Sequence, residues 1–371
     1  MGALATQTIA RDDLDRRLAS ALADASYEKV AEDFDVSRGR VYNAACRLGV
    51  RKHELRIQMK KSERRRLQTE FAASVLNATA KADVLDFLDG MPSESASAVI
   101  TSPPYNIAKP YAAPGDDSFQ FTFYLGWLLQ VTSECARILQ QGGVLFLQVG
   151  ATRGPDGHSL YPIDIMLFQH LQAMGLTFQS RVIWTIPHGL TPKRRLAERY
   201  ETALVFTKGP SPRTFNPTPA RQPQQNPGKR AFKGPRKGEL SGHPFGAFPT
   251  NVWHIGNAGH NRKDGVTGHP AQMPTELVRR AILLYTTPQD LVVDPFSGSG
   301  TTHAECIRTG RAFSGADLHF ENLRSARLAK VAPDLVSTLP GVTDESMSVW
   351  SAEAVPVHVP ASPQEQLAFN A

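Results

Sequence analysis

The sequence predicts an α/β protein with a doubly wound, mostly parallel β-sheet behind a small helical module. From about residue 80 onward, short apolar segments alternate with amphipathic segments of helical spacing. One apolar segment runs into a glycine-rich turn at 295–300, and another ends in a turn with two prolines at 102–105. Strands that alternate with helices form a parallel sheet covered on both faces. The alternation therefore predicts the doubly wound arrangement.

The individual elements follow from local periodicity, taken in chain order. A strand at 98–101 precedes the proline-containing turn, and the amphipathic pattern at 121–139 predicts a long helix. An apolar run at 144–149, behind two glycines, predicts a buried strand. The series continues with a helix at 162–174, strands at 182–185 and 202–207, a helix at 275–285, a strand at 291–294, a helix at 301–309 and a strand at 312–317.

Length and composition limit the class of protein. The 371 residues suffice for one catalytic domain of about 250 residues and an accessory module. The chain holds 41 Lys and Arg against 35 Asp and Glu, which modestly favours a polyanionic partner. The three cysteines share no metal-ligand spacing, and no run of about 18 apolar residues predicts a membrane span. We therefore expect a cytoplasmic protein without a metal site or membrane contact.

Residues 1–66 form the predicted accessory module. Apolar residues recur with helical spacing in two pieces, and Ser37 is placed to cap the later helix, which carries Arg38 and Arg40 on its polar side. This pattern is typical of a helix-turn-helix DNA reader, and equally of a small helical bundle with a charged face. The basic run at 51–66 is either a solvated linker or a phosphate-contacting segment.

The glycine-rich turn predicts a cofactor site. Asp294 ends an apolar strand, Phe296, Gly298 and Gly300 follow it, and Thr301 begins a helix. Closely spaced glycines let the backbone approach a ligand, and a helix start offers free N–H groups. Asp317 closes the next apolar strand, where an acid can accept hydrogen bonds from a ribose diol.

The turn Ser102-Pro103-Pro104-Tyr105 predicts a site for an amino group. Two prolines fix the backbone and leave the carbonyl between them as a rigid acceptor beside the Ser102 hydroxyl. An amine on a flat ring could give its two hydrogens to these acceptors while Tyr105 stacks on the ring. The alternative for this turn alone is a proline turn beside a core tyrosine.

Together the two turns resemble those of the N6-adenine and N4-cytosine DNA methyltransferases. In that family a [DNS]PP[YF] turn binds the target amine, and a DxFxGxG turn binds S-adenosylmethionine. The amine turn lies about 190 residues before the cofactor turn, an order similar to the permuted β group. The resemblance spans about residues 80–331, and it implies a catalytic domain at 67–332 with the S-adenosylmethionine-dependent methyltransferase fold.

The resemblance also implies roles for individual residues. Ser102, Pro103, Pro104 and Tyr105 would bind the flipped base. The cofactor would be held by Asp83, Asp294, Phe296, Gly298, Gly300, Thr301 and Asp317, and by His269 and Pro270 in the segment before helix 275–285. That segment departs from the family at Met273, where a lysine is usual.

The implied reaction is methyl transfer from S-adenosylmethionine to a base amine of double-stranded DNA, with base flipping and no metal. We favour the N6 amine of adenine, with N4-cytosine as the alternative. A methyltransferase acting on RNA, or a DNA-binding regulator with a dead catalytic fold, remains as a further alternative. The family also implies a homodimer, whereas a partner restriction endonuclease is not visible in one chain.

The segment 209–268 interrupts the alternation of strands and helices and is rich in Pro, Gly and basic residues. It lies where the β group keeps its target-recognition region, so we expect DNA contacts there from Lys229, Arg230, Lys233, Arg236 and Lys237. The alternative is a disordered basic loop. The tail 333–371 has little periodicity and is expected to be weakly ordered.

Overall fold

The computed structural model describes most of the predicted catalytic domain. The described residues are 76–109, 111, 117–154, 156, 159–186, 193, 196–256, 258 and 268–331, with separate positions at 14, 16–18, 20–21, 30, 32–35, 41, 44, 70, 72 and 74. Within them, no helix is both long and apolar enough to span a bilayer.

One eight-stranded sheet organises the described part of the chain. The strands are β1 (Ala78–Ala80), β2 (Ala96–Thr101), β3 (Leu139–Val149), β4 (Ala151–Arg153), β5 (Leu160–Pro162), β6 (Leu176–Thr185), β7 (Tyr200–Lys208), β8 (Val252–His254), β9 (Leu291–Asp294) and β10 (Ala312–Ala316). The order across the sheet is β1-β10-β9-β2-β3-β7-β6-β8, while β4 and β5 form a separate pair.

Strand direction confirms a mostly parallel sheet. The five neighbouring strands β1, β10, β9, β2 and β3 pair in parallel. Val99 of β2 lies opposite Leu145 of β3 on one side and Val293 of β9 on the other. Only β7 runs against its neighbours β3 and β6 in the described sheet. Its amino-terminal end therefore lies at the same edge as the carboxyl ends of β2, β3 and β9.

Six α-helices whose bounds are described cover the two faces of the sheet. They are α1 (Val84–Gly90), α2 (Phe121–Ile138), α3 (Ile163–Ala173), α4 (Thr275–Tyr285), α5 (Thr301–Arg308) and α6 (Glu321–Val331). Alternate strand residues enter opposite cores: Val99 and Leu145 pack with the cluster of α1 to α3, whereas Ile100 and Phe146 pack with the cluster of α4 to α6. This period of two is why the central strands are apolar throughout, and it confirms the doubly wound prediction.

Most predicted elements appear within a residue or two of their expected bounds, and α4 and β9 match them. Two strands begin earlier than expected. β6 starts at Leu176. The prediction missed its first half because those residues are mostly half-exposed and polar, so they form no apolar run. β3 starts at Leu139 and bulges between its pairings with Ala96 and Ala98, where Gly142 adopts a positive φ of 75°.

The segment after β7 has little regular structure but is attached to the sheet. β8 pairs in parallel with β6, and Trp253 lies opposite Trp184 with both side chains buried. Two isolated bridges, Gln222 with Ala247 and Arg230 with Leu240, fold the intervening chain back on itself. β8 has three residues, too few for periodicity to predict it.

The N-terminal module is described only at separate positions. Leu18, Val30, Val41 and Ala44 are buried members of the core cluster on the α1 to α3 side. Arg38, Arg40, the basic run 51–66 and the tail 333–371 lie outside the described residues, so their DNA-binding and tail assignments stay predictions.

Candidate active site

The two predicted turns meet at the centre of one sheet edge. The chain leaves β9 through α5 toward β10 on one side, and it leaves β2 through α2 toward β3 on the other. Adjacent parallel strands whose connections diverge in this way open a crevice at their carboxyl ends, where α/β proteins bind ligands. The glycine-rich turn after β9 and the proline turn after β2 both line this crevice.

The glycine-rich turn is held in a shape that few other residues allow. Gly298 has φ 48°, and a Cβ at this position would lie 2.6 Å from His269 Nε2. Gly300 has φ 78° and precedes the first residue of α5. The Ser297 hydroxyl donates to the Ala316 carbonyl at 2.8 Å, which ties the turn to the end of β10. The backbone is thus exposed to the crevice and fixed from behind.

Asp317 lies beside this turn. Its Oδ2 accepts the Gly298 N–H at 2.9 Å, and its Oδ1 accepts the His319 N–H at 2.8 Å. The Arg324 guanidinium, which is fully buried, donates to the Gly298 carbonyl at 3.0 Å and lies 3.8 Å from Asp317 Oδ1. These contacts orient a carboxylate toward the crevice, where it can accept hydroxyl hydrogens.

Asp294 is enclosed by hydroxyl groups of two neighbouring elements. Its side chain is buried outside the cavity lining, with Oδ1 accepting from the Thr101 hydroxyl at 2.7 Å and Oδ2 from the Thr302 hydroxyl at 2.6 Å. Burial raises the pKa of Asp294 to about 6. The carboxylate therefore fastens β2 to β9 and α5, and its contact with the cofactor stays a prediction. Gly300 likewise lies behind the lining.

We expect Asp294→Asn to change how stability depends on pH. Because the folded pKa is raised above the unfolded value, the wild-type residue contributes stability at low pH that is lost as pH rises through about 6. An amide cannot ionise, so the stability of the variant relative to wild type should increase by roughly 2 kcal/mol between pH 4.5 and 7. Denaturant unfolding at both pH values measures this. A pH-independent difference would contradict it.

The proline turn is fixed by hydrogen bonds from its surroundings. The Tyr124 hydroxyl of α2 donates to the Pro104 carbonyl at 2.8 Å. The Ser102 hydroxyl lies 3.2 Å from the Tyr105 hydroxyl, which donates to Glu201 Oε2 at 2.9 Å. Ser102, Pro103, Pro104 and Tyr105 all line the cavity. The structure thus brings these predicted residues together.

The loop that follows Tyr105 is held by a buried carboxylate. Asp117 accepts the backbone N–H of Asn106 at 2.6 Å and that of Ile107 at 3.1 Å. The Asn106 side chain bonds both the N–H and the carbonyl of Phe119. Asn106 and Ala108 have positive φ values of 59°, which this network stabilises. No sequence pattern identified Asp117, because its partners are backbone groups.

Glu201 and Gln148 are site residues that the sequence analysis did not single out. Glu201 is the second residue of β7 and Gln148 the last but one of β3, and Gln148 Nε2 donates to Glu201 Oε2. Both line the cavity next to Tyr105. Burial raises the pKa of Glu201. Polar residues inside otherwise apolar strands were the available signal, since burying such groups is unfavourable without a partner.

The cavity between the two turns has a volume of about 1030 Å³. Its lining is rich in aromatic side chains, among them Tyr105, Tyr111, Trp127, Phe296 and Phe320. This is enough space for a nucleoside-sized ligand together with a second planar ring.

The remaining predicted cofactor residues also surround the cavity. His269 and Pro270 close it opposite Gly298, while Asp83 and Thr301 line it further along. Burial lowers the pKa of His269 to about 4, so its ring is neutral at pH 7. Asp83 also caps α1, accepting the Leu85 N–H at 2.9 Å.

The basic residues predicted to contact DNA lie away from this cavity. Lys229, Arg230, Lys233, Arg236 and Lys237 are exposed in the segment after β7. Arg230 donates to the Gly238 carbonyl and Arg236 pairs with Glu239, so both help to shape the loop. Among the residues with described positions, no group of His, Cys, Asp and Glu side chains could hold a metal ion.

Comparison with known proteins shows consistent similarities. A family model described as DNA methylase, of the N6/N4 type, matches residues 96–328. The type II methyltransferase M.BglII of Bacillus subtilis is 37% identical over 255 residues, 69% of each chain. The DNA adenine methyltransferase YhdJ of Escherichia coli is 30% identical over 65% of this chain and 78% of its own. In fold, the chain resembles the cytosine-N4-specific PvuII DNA methyltransferase, with a TM-score of 0.52, 21% identity and coverage of 72% and 88%.

Proposed function

The chain belongs to the N6/N4 DNA methylase family, and on that premise we propose that it methylates the N6 amine of adenine in duplex DNA, using S-adenosylmethionine. The observation that carries the proposal is the meeting of the Ser102–Tyr105 turn and the glycine-rich turn in one cavity. The methyl donor, when bound, supplies a methyl group on a sulfonium leaving group. No metal is required for this chemistry.

The residues around the glycine-rich turn fit this donor. Gly298 lets the backbone approach the ligand, and Asp317 offers a carboxylate to a ribose diol. Phe296 provides an apolar surface for the adenine ring, and His269 closes the cavity with an uncharged ring, which adds no positive charge beside a sulfonium.

The proline turn would orient the target amine. Ser102 Oγ and the Pro103 carbonyl accept its two hydrogens, and Tyr105 stacks on the base. This geometry directs the nitrogen lone pair toward the methyl group, so that positioning supplies most of the rate enhancement. The base must leave the duplex to reach a cavity at the sheet edge.

We favour adenine over cytosine as the target because the relative YhdJ, which is 30% identical, is named a DNA adenine methyltransferase. Cytosine N4 remains the second candidate, since both amines fit the same pair of acceptors. Purified protein should be incubated with mixed-sequence duplex DNA and methyl-labelled donor, followed by nucleoside analysis. Labelled N6-methyladenine supports the proposal, and N4-methylcytosine supports the alternative. A parallel incubation contains RNA of the same sequence, and label found only on that RNA would reject both.

We further propose that the segment after β7 binds DNA phosphates. Replacing Lys229, Lys233 and Lys237 with alanine should weaken DNA binding and flatten its dependence on salt. The slope of log affinity against log salt should fall by about 0.9 for each phosphate that is no longer neutralised by a lysine. Titrations at three salt concentrations measure this, with Lys330→Ala on α6 as an exposed control. Equal slopes for the triple variant and the control would mean that the phosphates are bound elsewhere on the protein.

Two assignments made from the sequence also remain proposals. Residues 1–66 would add a helix-turn-helix DNA contact, which a chain beginning near Gln68 would lack. The homodimer implied by the family predicts a mass in solution twice the 40.6 kDa of one chain. Light scattering distinguishes the two masses.

A further inference from the structure

A row of hydrogen-bonded groups leads from the proline turn to a buried carboxylate. Ser102 Oγ lies 3.2 Å from the Tyr105 hydroxyl oxygen, which lies 2.9 Å from Glu201 Oε2. Gln148 Nε2 donates to the same carboxylate oxygen. The turn after β2 carries Ser102 and Tyr105, and the strands β2, β3 and β7 are neighbours in the sheet, which brings the four groups together.

Counting hydrogens gives the row a direction. A phenol has one hydrogen, and Tyr105 donates it to Glu201. The contact between Ser102 and Tyr105 must then use the hydrogen of Ser102. Since that hydrogen points toward Tyr105, the lone pairs of Ser102 Oγ are available to accept from another donor. An ionised Glu201, which accepts from both Tyr105 and Gln148, therefore makes Ser102 an acceptor.

Charged and titratable groups on several elements influence Glu201. Burial raises its pKa and so does the charge of Glu198, whereas the hydrogen bonds from Tyr105 and Gln148 and the charge of Lys109 lower it. Tyr111 is a further titratable group that interacts with it. The raised pKa makes Glu201 a stronger base than an exposed carboxylate.

We propose that Glu201 accepts the proton released by methyl transfer, through Tyr105 and Ser102. The inference rests on the proposed function. As the new N–CH₃ bond forms, the S–CH₃ bond breaks and its electron pair stays on sulfur, which becomes a neutral thioether. The amine nitrogen, now positively charged, gives one proton to Ser102 Oγ. Ser102 passes its own proton to the Tyr105 oxygen, and Tyr105 passes its proton to Glu201 Oε2.

The charges balance in this scheme. The sulfonium charge and the Glu201 charge both disappear, and every hydrogen bond in the row reverses direction. Glu201 acts through Tyr105, so it is a positioning residue and the terminal proton acceptor, and it need not touch the base. A neutral serine can then serve at the amine, because the negative charge lies two hydrogen bonds away.

The test is the pH profile of a single turnover at saturating DNA and methyl donor. The wild-type rate should fall as pH drops through the raised pKa of Glu201, because the protonated acid cannot accept. Glu201→Gln should lower the plateau about 100-fold and remove this acid limb. Tyr105→Phe keeps the ring and breaks the row, so it should have the same two effects. Glu198→Gln, the exposed carboxylate three residues away, is the matched control and should retain the limb.

The possible outcomes lead to different conclusions. Loss of the limb in Glu201→Gln and Tyr105→Phe, with cofactor binding retained, supports the relay. A limb that persists in either variant overturns it, even if the rate is lower, because a merely structural role would lower the rate alone. If Glu201→Gln does not fold, Tyr105→Phe decides. Failure of the wild-type protein to methylate any DNA would instead reject the proposed function.

Discussion

Tyr105→Ala is expected to reduce methyl transfer by more than about 100-fold while leaving the affinity for the methyl donor nearly unchanged. Stacking of a flipped base on an aromatic ring contributes about 1–3 kcal/mol, which is roughly 5- to 160-fold in rate when it acts in the transition state. The variant also loses the hydroxyl that links Ser102 to Glu201, which adds to the effect. Single-turnover kinetics and calorimetry with S-adenosylmethionine measure the two quantities separately.

The chain offers a matched control for this experiment. Tyr200 precedes Glu201 in β7, and its side chain is half-exposed on the opposite side of the strand. Tyr200→Ala removes a tyrosine from the same sheet without touching the cavity, so it should retain activity. Equal loss of donor binding and methyl transfer in Tyr105→Ala would indicate a core tyrosine, and the assignment of the proline turn to the base would be wrong.

Gly298→Trp is expected to abolish binding of S-adenosylmethionine, with affinity falling more than about 100-fold. The first side-chain carbon would lie 2.6 Å from His269 Nε2, and φ of 48° is unfavourable for a residue that has a Cβ. The indole would in addition fill the space in front of the glycine-rich turn. Calorimetry measures the affinity directly, and circular dichroism shows whether the fold is retained.

Gly256→Ala provides the comparison, because a Cβ there meets no atom within 4 Å and the backbone has no positive φ. It should bind the donor as the wild type does. Tight donor binding by Gly298→Trp would mean that the cofactor does not occupy this turn. The cofactor contacts proposed for Phe296 and Asp317 would then also be wrong.

The elements were predictable from the sequence because strand and helix periodicities are local. α4 and β9 have short, strongly patterned sequences, and their bounds agree with the prediction. The antiparallel direction of β7 was not predictable, since direction depends on which strands become neighbours. The same limit applies to Glu201, which reaches Tyr105 only because β3 lies between β2 and β7.

Asp294 shows a different limit of sequence reasoning. An acid at the end of the cofactor strand has the position of a ligand in a linear motif. In three dimensions Thr101 and Thr302 occupy both of its carboxylate oxygens. Thr101 lies 193 residues away in the chain, and only the pairing of β2 with β9 brings the two together. The motif alone did not show that this carboxylate joins β2 to β9 and α5 through two threonine hydroxyls.

The attachment of the segment after β7 has a consequence for how such proteins diversify. The segment leaves the sheet at Lys208 and rejoins it at β8, which among the described strands pairs with β6 alone and lies at the edge of the described sheet. Insertions or deletions between these two points leave the register of every central strand unchanged. Recombination could therefore exchange the segment as a unit between relatives without disturbing the cavity, and if the segment contacts DNA as proposed, such exchange would alter DNA binding while the cavity residues are kept.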